Sequence, residues 1–199
     1  MKRLLASPSN ALGVGLAIAI AILLLWVAAG SVDLVGLASI VLRVVHVLAA
    51  MIWIGMIWFV NFIQLVAVQQ ADDQARGPLL RLIVPRVTNT FLHASGLTVL
   101  SGALLLPSTG YVLDRWIFSS AVYVSTPRAL MLWSGAAAGF AMLIIAFAVI
   151  RPGLRIILGE VPGDVETIAR ARARVAAFAR INLILVVPVT FVMVAAAHS

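Results

Sequence analysis

The sequence contains no cysteine, and this absence excludes several kinds of site at once. Without thiols there is no disulfide, no iron–sulfur cluster, no thiolate-bound metal and no covalently attached haem c. Charged residues are also scarce, at 11% of 199 residues, whereas 63% are hydrophobic. This composition lies far outside the range of soluble domains and predicts an integral membrane protein.

Acidic residues number only seven, and all of them lie in predicted loops or at helix ends. The apolar runs therefore offer no pair of carboxylates for acid–base catalysis. The net charge of +7 would suggest nucleic acid as the partner of a soluble protein. Here the basic residues flank apolar runs and act as topology signals, so we predict a lipid bilayer as the partner and no nucleic acid.

Five apolar runs are long enough to cross a bilayer as helices. We predict one all-α membrane domain over residues 1–199, a bundle of five transmembrane helices at about 11–29, 40–64, 88–106, 128–150 and 177–197. The first run lacks a clear cleavage site for a signal peptide and is read as a retained helix. We further predict a loop over 69–77, an interfacial hairpin or short helix between Pro107 and Pro127, and a helix cap at Asp164.

The distribution of basic residues predicts how the helices are oriented. With five spans and a cytoplasmic amino terminus, eleven of the fourteen Lys and Arg residues lie on the cytoplasmic side. This asymmetry agrees with the positive-inside rule and places the carboxyl terminus outside. We therefore expect a multi-pass protein of the bacterial inner membrane.

The second run, RVVHVLAAMIWIGMIWFVNFIQ over 43–64, carries polar residues on one side of its helix. At 3.6 residues per turn that side consists of Arg43, His46, Ala50, Trp53, Ile57, Asn61 and Gln64. A charged side chain inside a spanning helix costs roughly 2.5–3.5 kcal/mol on insertion scales, so it normally faces the bundle interior and marks a site. His46 is the leading candidate for a functional residue.

Haem b is the cofactor that best suits this pattern. It needs an imidazole ligand oriented by a second hydrogen bond, apolar walls, and a cation for its propionates. His46 would be the ligand, Arg43 lies one turn nearer the surface, and Trp53 would contact the ring. Three alternatives stay open: His46 bonds a neighbouring helix while Arg43 reaches the headgroups, His46 binds another metal, or it relays protons.

The other two histidines are weaker candidates as metal or haem ligands. His198 follows the last span and should lie at the same outer level as His46, although terminal residues are often frayed. His93 should lie in the inner half, displaced from His46 by ~15 Å at 1.5 Å of rise per residue, and has hydroxyl partners nearby. A basic run at 170–180 is most simply a cytoplasmic face, with a quinone or an anionic lipid as an alternative ligand.

Four blocks of sequence together resemble a known family. Besides the run over 43–64 they are VPRVTNTFLHASGLTVLSG, IRPGLRIILG and ARINLILVVPVTFVMVAAAHS. In this order they resemble the membrane domain at the amino terminus of bacterial membrane-bound, cytochrome-linked urate oxidases and of shorter stand-alone relatives. The resemblance covers about 42–199 and implies a helical membrane domain related to redox work. It favours His46 and His198, which occupy histidine positions of the family, over His93, where relatives more often carry an aromatic residue.

The sequence also departs from that family. It has no CxxCH motif for the cytochrome c domain of the urate oxidases, and the glycine-rich histidine segment expected between helices two and three is missing. Urate oxidation by this chain alone is therefore the less favoured reading. We expect a redox-associated subunit that binds haem b through His46 and passes electrons within a larger membrane complex. The alternative is a non-catalytic accessory subunit that stabilises a larger membrane enzyme. Both imply other membrane subunits as partners, and the first also a quinone or cytochrome c.

Overall fold

The computed structural model describes residues 7–30, 33–106 and 127–198, and all regular elements in these ranges are helices. The all-α prediction is confirmed. In chain order the elements are α1 (Pro8–Ala28), α2 (Leu34–Phe59), π1 (Val60–Gln64), α3 (Leu65–Gln70), α4 (Asp73–Leu82), α5 (Val84–Leu105), α6 (Pro127–Ile145), π2 (Ala146–Ile150), α7 (Arg151–Ile157) and α8 (Val165–His198). The predicted interfacial segment between Pro107 and Pro127 lies outside the described residues.

The chain divides into two compact units, Met1–Val41 and Leu42–Ser199. In the first unit, Ser7 caps the start of α1, and its side chain accepts a hydrogen bond from the backbone N–H of Asn10 at 3.2 Å. Such a cap satisfies one of the amide groups that a helix start leaves unpaired. The observed helix starts three residues before the predicted span because this cap and Pro8 fix its first turn.

Among the described residues, four helical stretches are long and apolar enough to cross a membrane. They are Pro8–Ala28, Gly36–Gln70, Pro127–Ile157 and Val165–His198. These helices are compatible with a multi-pass membrane protein. The remaining predicted span, 88–106, overlaps α5, which ends one residue earlier at Leu105 and is not one of the four. Hydroxyl, amide and imidazole side chains between Thr88 and Ser101 make that helix more polar than the others.

The core of the second unit is formed where α2, α5, α6, π2 and α8 meet. Its buried residues are Trp53, Ile57, Phe91, Ala94, Met142, Ala146 and Val186. The indole of Trp53 meets the ring of Phe91 edge-on, with centroids 6.4 Å apart and an interplanar angle of 68°. Such edge-to-face pairs add to the burial of the two rings. The half of the 43–64 run that carries Trp53 and Ile57 therefore packs against protein.

Small residues bring α6 and α8 together, as the run SGAAAG in α6 predicts. Gly135 is buried, and a Cβ added to it would lie 3.0 Å from Val192 Cγ2 in α8. The absence of a side chain at Gly135 allows α6 to approach α8 closely at this position.

The loop predicted over 69–77 is wrong for most of its length. The structure continues α3 to Gln70 and starts α4 at Asp73, leaving only two residues between them. Asp72 caps α4 by accepting a bond from Ala75 N at 2.8 Å, and Arg76 donates to the carbonyl of Ala71 at 2.8 Å. These local bonds satisfy both helix ends, so a polar stretch of this composition needs no open loop.

The start of α8 follows the sequence prediction for Asp164. Its carboxylate accepts a hydrogen bond from the backbone N–H of Thr167 at 2.7 Å. The side chain and the backbone N–H of Thr167 lower the pKa of Asp164 because both stabilise its charged form. The preceding turn contains Gly159 at φ +77, a conformation that favours glycine. The amide of Glu160 closes this turn on the carbonyl of Arg155 at 2.9 Å.

Candidate functional site

His46 is half-buried on α2, and its imidazole ring lies against α5. Its Nδ1 is 2.8 Å from the carbonyl oxygen of Thr98. Because a carbonyl can only accept, Nδ1 carries the proton and donates it. A neutral imidazole then has its lone pair on Nε2, and Nε2 forms no hydrogen bond with any residue of the described ranges. This tautomer is the one in which a histidine binds a metal through Nε2.

The hydroxyl groups beside His46 are occupied by their own helix. Thr98 Oγ1 donates to the carbonyl of Ala94 at 2.7 Å, and Ser101 Oγ donates to the carbonyl of Leu97 at 2.6 Å. Ser101 Oγ also lies 3.4 Å from His46 Nδ1, which is a long contact beside the 2.8 Å bond to the carbonyl. The backbone of α5 therefore orients the imidazole.

The absence of a side chain at Gly102 leaves room for the imidazole of His46 against α5. A Cβ built on this glycine would lie 2.9 Å from His46 Cε1 and 3.1 Å from Nδ1. Contacts this short force one of the groups to move, and the ring is held by its bond to Thr98. A residue with a side chain at position 102 is therefore incompatible with the observed position of the ring.

We expect Gly102→Ala to lower stability and to loosen the bond between His46 and Thr98. Overpacking costs about 1–3 kcal/mol, which exceeds the roughly 1 kcal/mol that Gly→Ala contributes through helix propensity. Gly96→Ala on the same helix is the matched control, because no atom lies within 4 Å of its added Cβ. Half-unfolding temperatures in detergent should fall for Gly102→Ala and stay level or rise for Gly96→Ala. Equal responses of the two variants would contradict this account of Gly102.

Arg43 and Trp53, the two side chains expected to contact haem beside His46, differ in their exposure. Arg43 is exposed, one turn before His46 on α2, where a long cationic side chain can reach an anionic group. Trp53 is 4% exposed and belongs to the core beside Phe91. Its ring is therefore covered by protein, and its Nε1 has no hydrogen-bond partner in the described chain.

His93 and His198 do not join His46 in one cluster. Both are exposed, and each Nδ1 bonds at 2.8 Å to the carbonyl four residues earlier in its own helix, at Asn89 and Val194 respectively. His93 precedes Thr98 by five residues and so lies about 7.5 Å along α5 from the carbonyl that holds His46. Within the part of the chain that the structure describes, no three His or acidic side chains are grouped to hold a metal.

The basic run at the start of α8 is a solvent-facing surface. Its arginines are Arg170, Arg172, Arg174 and Arg180, all of them exposed. Arg170 Nη1 pairs with Glu166 at 2.8 Å, and the guanidinium of Arg174 lies 5.9 Å from the ring centroid of Phe178. Exposed pairs of this kind contribute little to stability, and the surface suits anionic headgroups.

A second group of polar residues, which the sequence did not single out as a site, surrounds a cavity of about 60 Å³. Its lining comes from α2, π1, α3, α5, π2, α7 and α8 and includes Asn61, Gln64, Thr88 and Asn182 among apolar residues. The sequence contained one indication of this cavity, because Asn61 and Gln64 continue the polar side of the 43–64 helix beyond His46. Asn182 gave only the signal of a lone amide within an apolar run.

Comparison with known proteins adds no assignment. No family model, no curated protein and no solved structure matches the chain.

Proposed function

We propose that the chain is a membrane-embedded, redox-associated subunit that binds haem b through His46. The single observation that supports this most strongly is the hydrogen bond from His46 Nδ1 to the Thr98 carbonyl, which leaves Nε2 with the lone pair. Ligating histidines almost always donate their other ring N–H to such an acceptor. The four long apolar helices of the described chain and α5, which contributes Phe91 and Ala94 to the core of the second unit, support a bundle of five spans. The basic residues favour a cytoplasmic amino terminus and an outer carboxyl terminus in a bacterial inner membrane.

The residues around His46 fit one side of a haem. His46 would hold the haem through its Nε2, and exposed Arg43 would pair with a propionate. Bound haem would supply one-electron transfer. Trp53 does not form a wall of this site, since its ring is enclosed in the core. We propose that His198 rather than His93 is the chain's other candidate ligand.

The resemblance to the membrane domain of cytochrome-linked urate oxidases supports a place in an electron-transfer complex. In that complex a quinone or a cytochrome c would be the redox partner. Urate oxidation by this chain alone remains the less favoured proposal.

A non-catalytic accessory subunit is the second candidate function. The observation that favours it is that every histidine already bonds a backbone carbonyl, so His46 also has a structural role in joining α2 to α5. Under this proposal the chain stabilises a larger membrane enzyme by packing, and the small-residue contact of α6 with α8 gives it a rigid frame.

A reduced-minus-oxidised absorption spectrum of the purified protein separates the two proposals. The cells should be grown with a haem precursor so that cofactor supply does not limit loading. We expect a haem b α-band and about one haem per chain, with bis-imidazole or single-imidazole ligation resolved by electron paramagnetic resonance. A helical, monodisperse protein with no haem band would reject the first proposal and favour the accessory subunit.

A further inference from the structure

The cavity of about 60 Å³ lies between two π-helical segments. Val60, Asn61 and Gln64 line it from π1, and Ile150 lines it at the end of π2. A π-helical segment contains one extra residue in a helical turn, and such segments are rare in proteins. Those that occur are frequently found at functional sites, because the extra residue displaces side chains from the regular helical pattern. Their presence on two neighbouring helices makes this cavity the first place to search for a ligand.

Two buried amide side chains in this cavity have polar atoms without partners. Asn182 is 1% exposed, and neither its Oδ1 nor its Nδ2 has a hydrogen-bond partner in the described chain. Gln64 is 9% exposed, and its Oε1 likewise has no partner. Buried amides in native proteins are almost always hydrogen-bonded to protein or ordered water, because leaving them unpaired is costly. The unpaired amide atoms of Asn182 and Gln64 therefore require a hydrogen-bonding occupant of the cavity.

The neighbouring polar side chains direct their donors to backbone carbonyls and do not bond Asn182 or Gln64 Oε1. Asn61 Nδ2 donates to the carbonyls of Ile57 at 2.8 Å and Ala179 at 3.3 Å, and so links π1 to α8. Thr88 Oγ1 donates to the carbonyl of Val84 at 2.7 Å. These groups are used within the protein, and Asn182 and Gln64 are left to an occupant of the cavity.

The unpartnered atoms define the chemistry of that occupant. Asn182 offers one donor and one acceptor, and Gln64 adds an acceptor, whichever way the Asn182 amide is turned. The occupant must therefore both donate and accept hydrogen bonds. A metal cation could bind the oxygens but would leave Nδ2 unpaired. The residues that line the cavity include no charged side chain, so a neutral ligand is favoured.

The volume of the cavity bounds the size of the ligand. About 60 Å³ is several times the roughly 10–15 Å³ that one water molecule needs, and well below the about 150 Å³ of a cavity that takes benzene. We infer that the cavity is a hydration site in which ordered water molecules bridge Asn182 on α8 to Gln64 on π1. This inference does not depend on haem binding at His46.

The sign of a stability change tests the inference. With water bound, Asn182→Leu removes the partner of that water and leaves Gln64 Oε1 without a hydrogen bond. The half-unfolding temperature should therefore fall by about 2–8 °C. In a dry cavity the same change would remove an unpaired amide, and the temperature would rise. Thr190→Val is the matched control on α8, because that hydroxyl bonds only its own helix, at Val186 O and 2.7 Å, and little change is expected.

A high-resolution structure of the unaltered protein provides the direct readout and does not depend on whether the variant folds. We expect discrete density of water size within hydrogen-bond distance of Asn182 and Gln64. A cavity without density, density of a larger molecule or a metal ion, or a rise in stability of Asn182→Leu would each overturn the inference.

Discussion

His46→Ala is expected to remove haem b from the purified protein, with the ratio of haem to protein falling more than about tenfold. The imidazole donates its Nδ1 proton to a backbone carbonyl of the neighbouring α5, through the 2.8 Å bond to Thr98. Alanine provides no ligand atom and opens a space beside Gly102. The measurement is the pyridine haemochrome content of the variant against that of the unaltered protein, both purified from cells given the haem precursor.

His93→Ala is the matched control for this prediction. Its ring is exposed and bonds only the carbonyl of Asn89 in its own helix, so its removal should leave haem content unchanged. Arg43→Gln should retain haem but shift its reduction potential, because a propionate would lose its cation. Full haem content in His46→Ala would exclude His46 as the ligand, and loss confined to His93→Ala would transfer that role to α5.

Gly153→Ala is expected to destabilise the second unit more than any other single methyl added at a described glycine. Its Cβ would lie 2.5 Å from Val175 Cγ2, the shortest approach among the described glycines, and 3.8 Å from the carbonyl oxygen of Ala171. Val175 is 8% exposed and β-branched, so its side chain has little freedom to turn away. The overpacking cost of about 1–3 kcal/mol should exceed the roughly 1 kcal/mol contributed by helix propensity.

Thermal unfolding in detergent at one fixed scan rate measures this effect. Gly139→Ala is the control, because Gly139 is buried on α6 yet no atom lies within 4 Å of its added Cβ. Combining Gly153→Ala with Val175→Ala should recover part of the loss, since the second change removes the atom in conflict. An additive loss in the double variant would show that the contact between α7 and α8 does not limit stability.

The apolar runs were sufficient to predict the helices, because an apolar residue favours an apolar environment whichever neighbour provides it. The Asp164 cap was equally predictable, since it is a local contact with Thr167. The two π segments were not predictable in this way. A single extra residue in a turn leaves no local composition signal, and its position depends on packing with other helices.

The candidate site shows the same division between local and tertiary information. A polar partner for His46 was expected, but the partner is a backbone carbonyl, which no residue type reveals. Trp53 was expected beside a cofactor, yet it packs against Phe91, because an aromatic residue on the polar stripe can equally fill the core. The amides of Gln64 and Asn182 meet only through the packing of π1 and α8.

The π segment Val60–Gln64 has a consequence for how one helix divides its contacts. Each residue of an α-helix turns the chain by about 100°, so one inserted residue rotates everything beyond it by that angle relative to an uninterrupted helix. Within Gly36–Gln70, His46 and Trp53 face inward before the insertion, and Gln64 faces inward within it. Loss of the insertion would therefore turn Leu65, which lines the cavity, and the residues after it by about 100°.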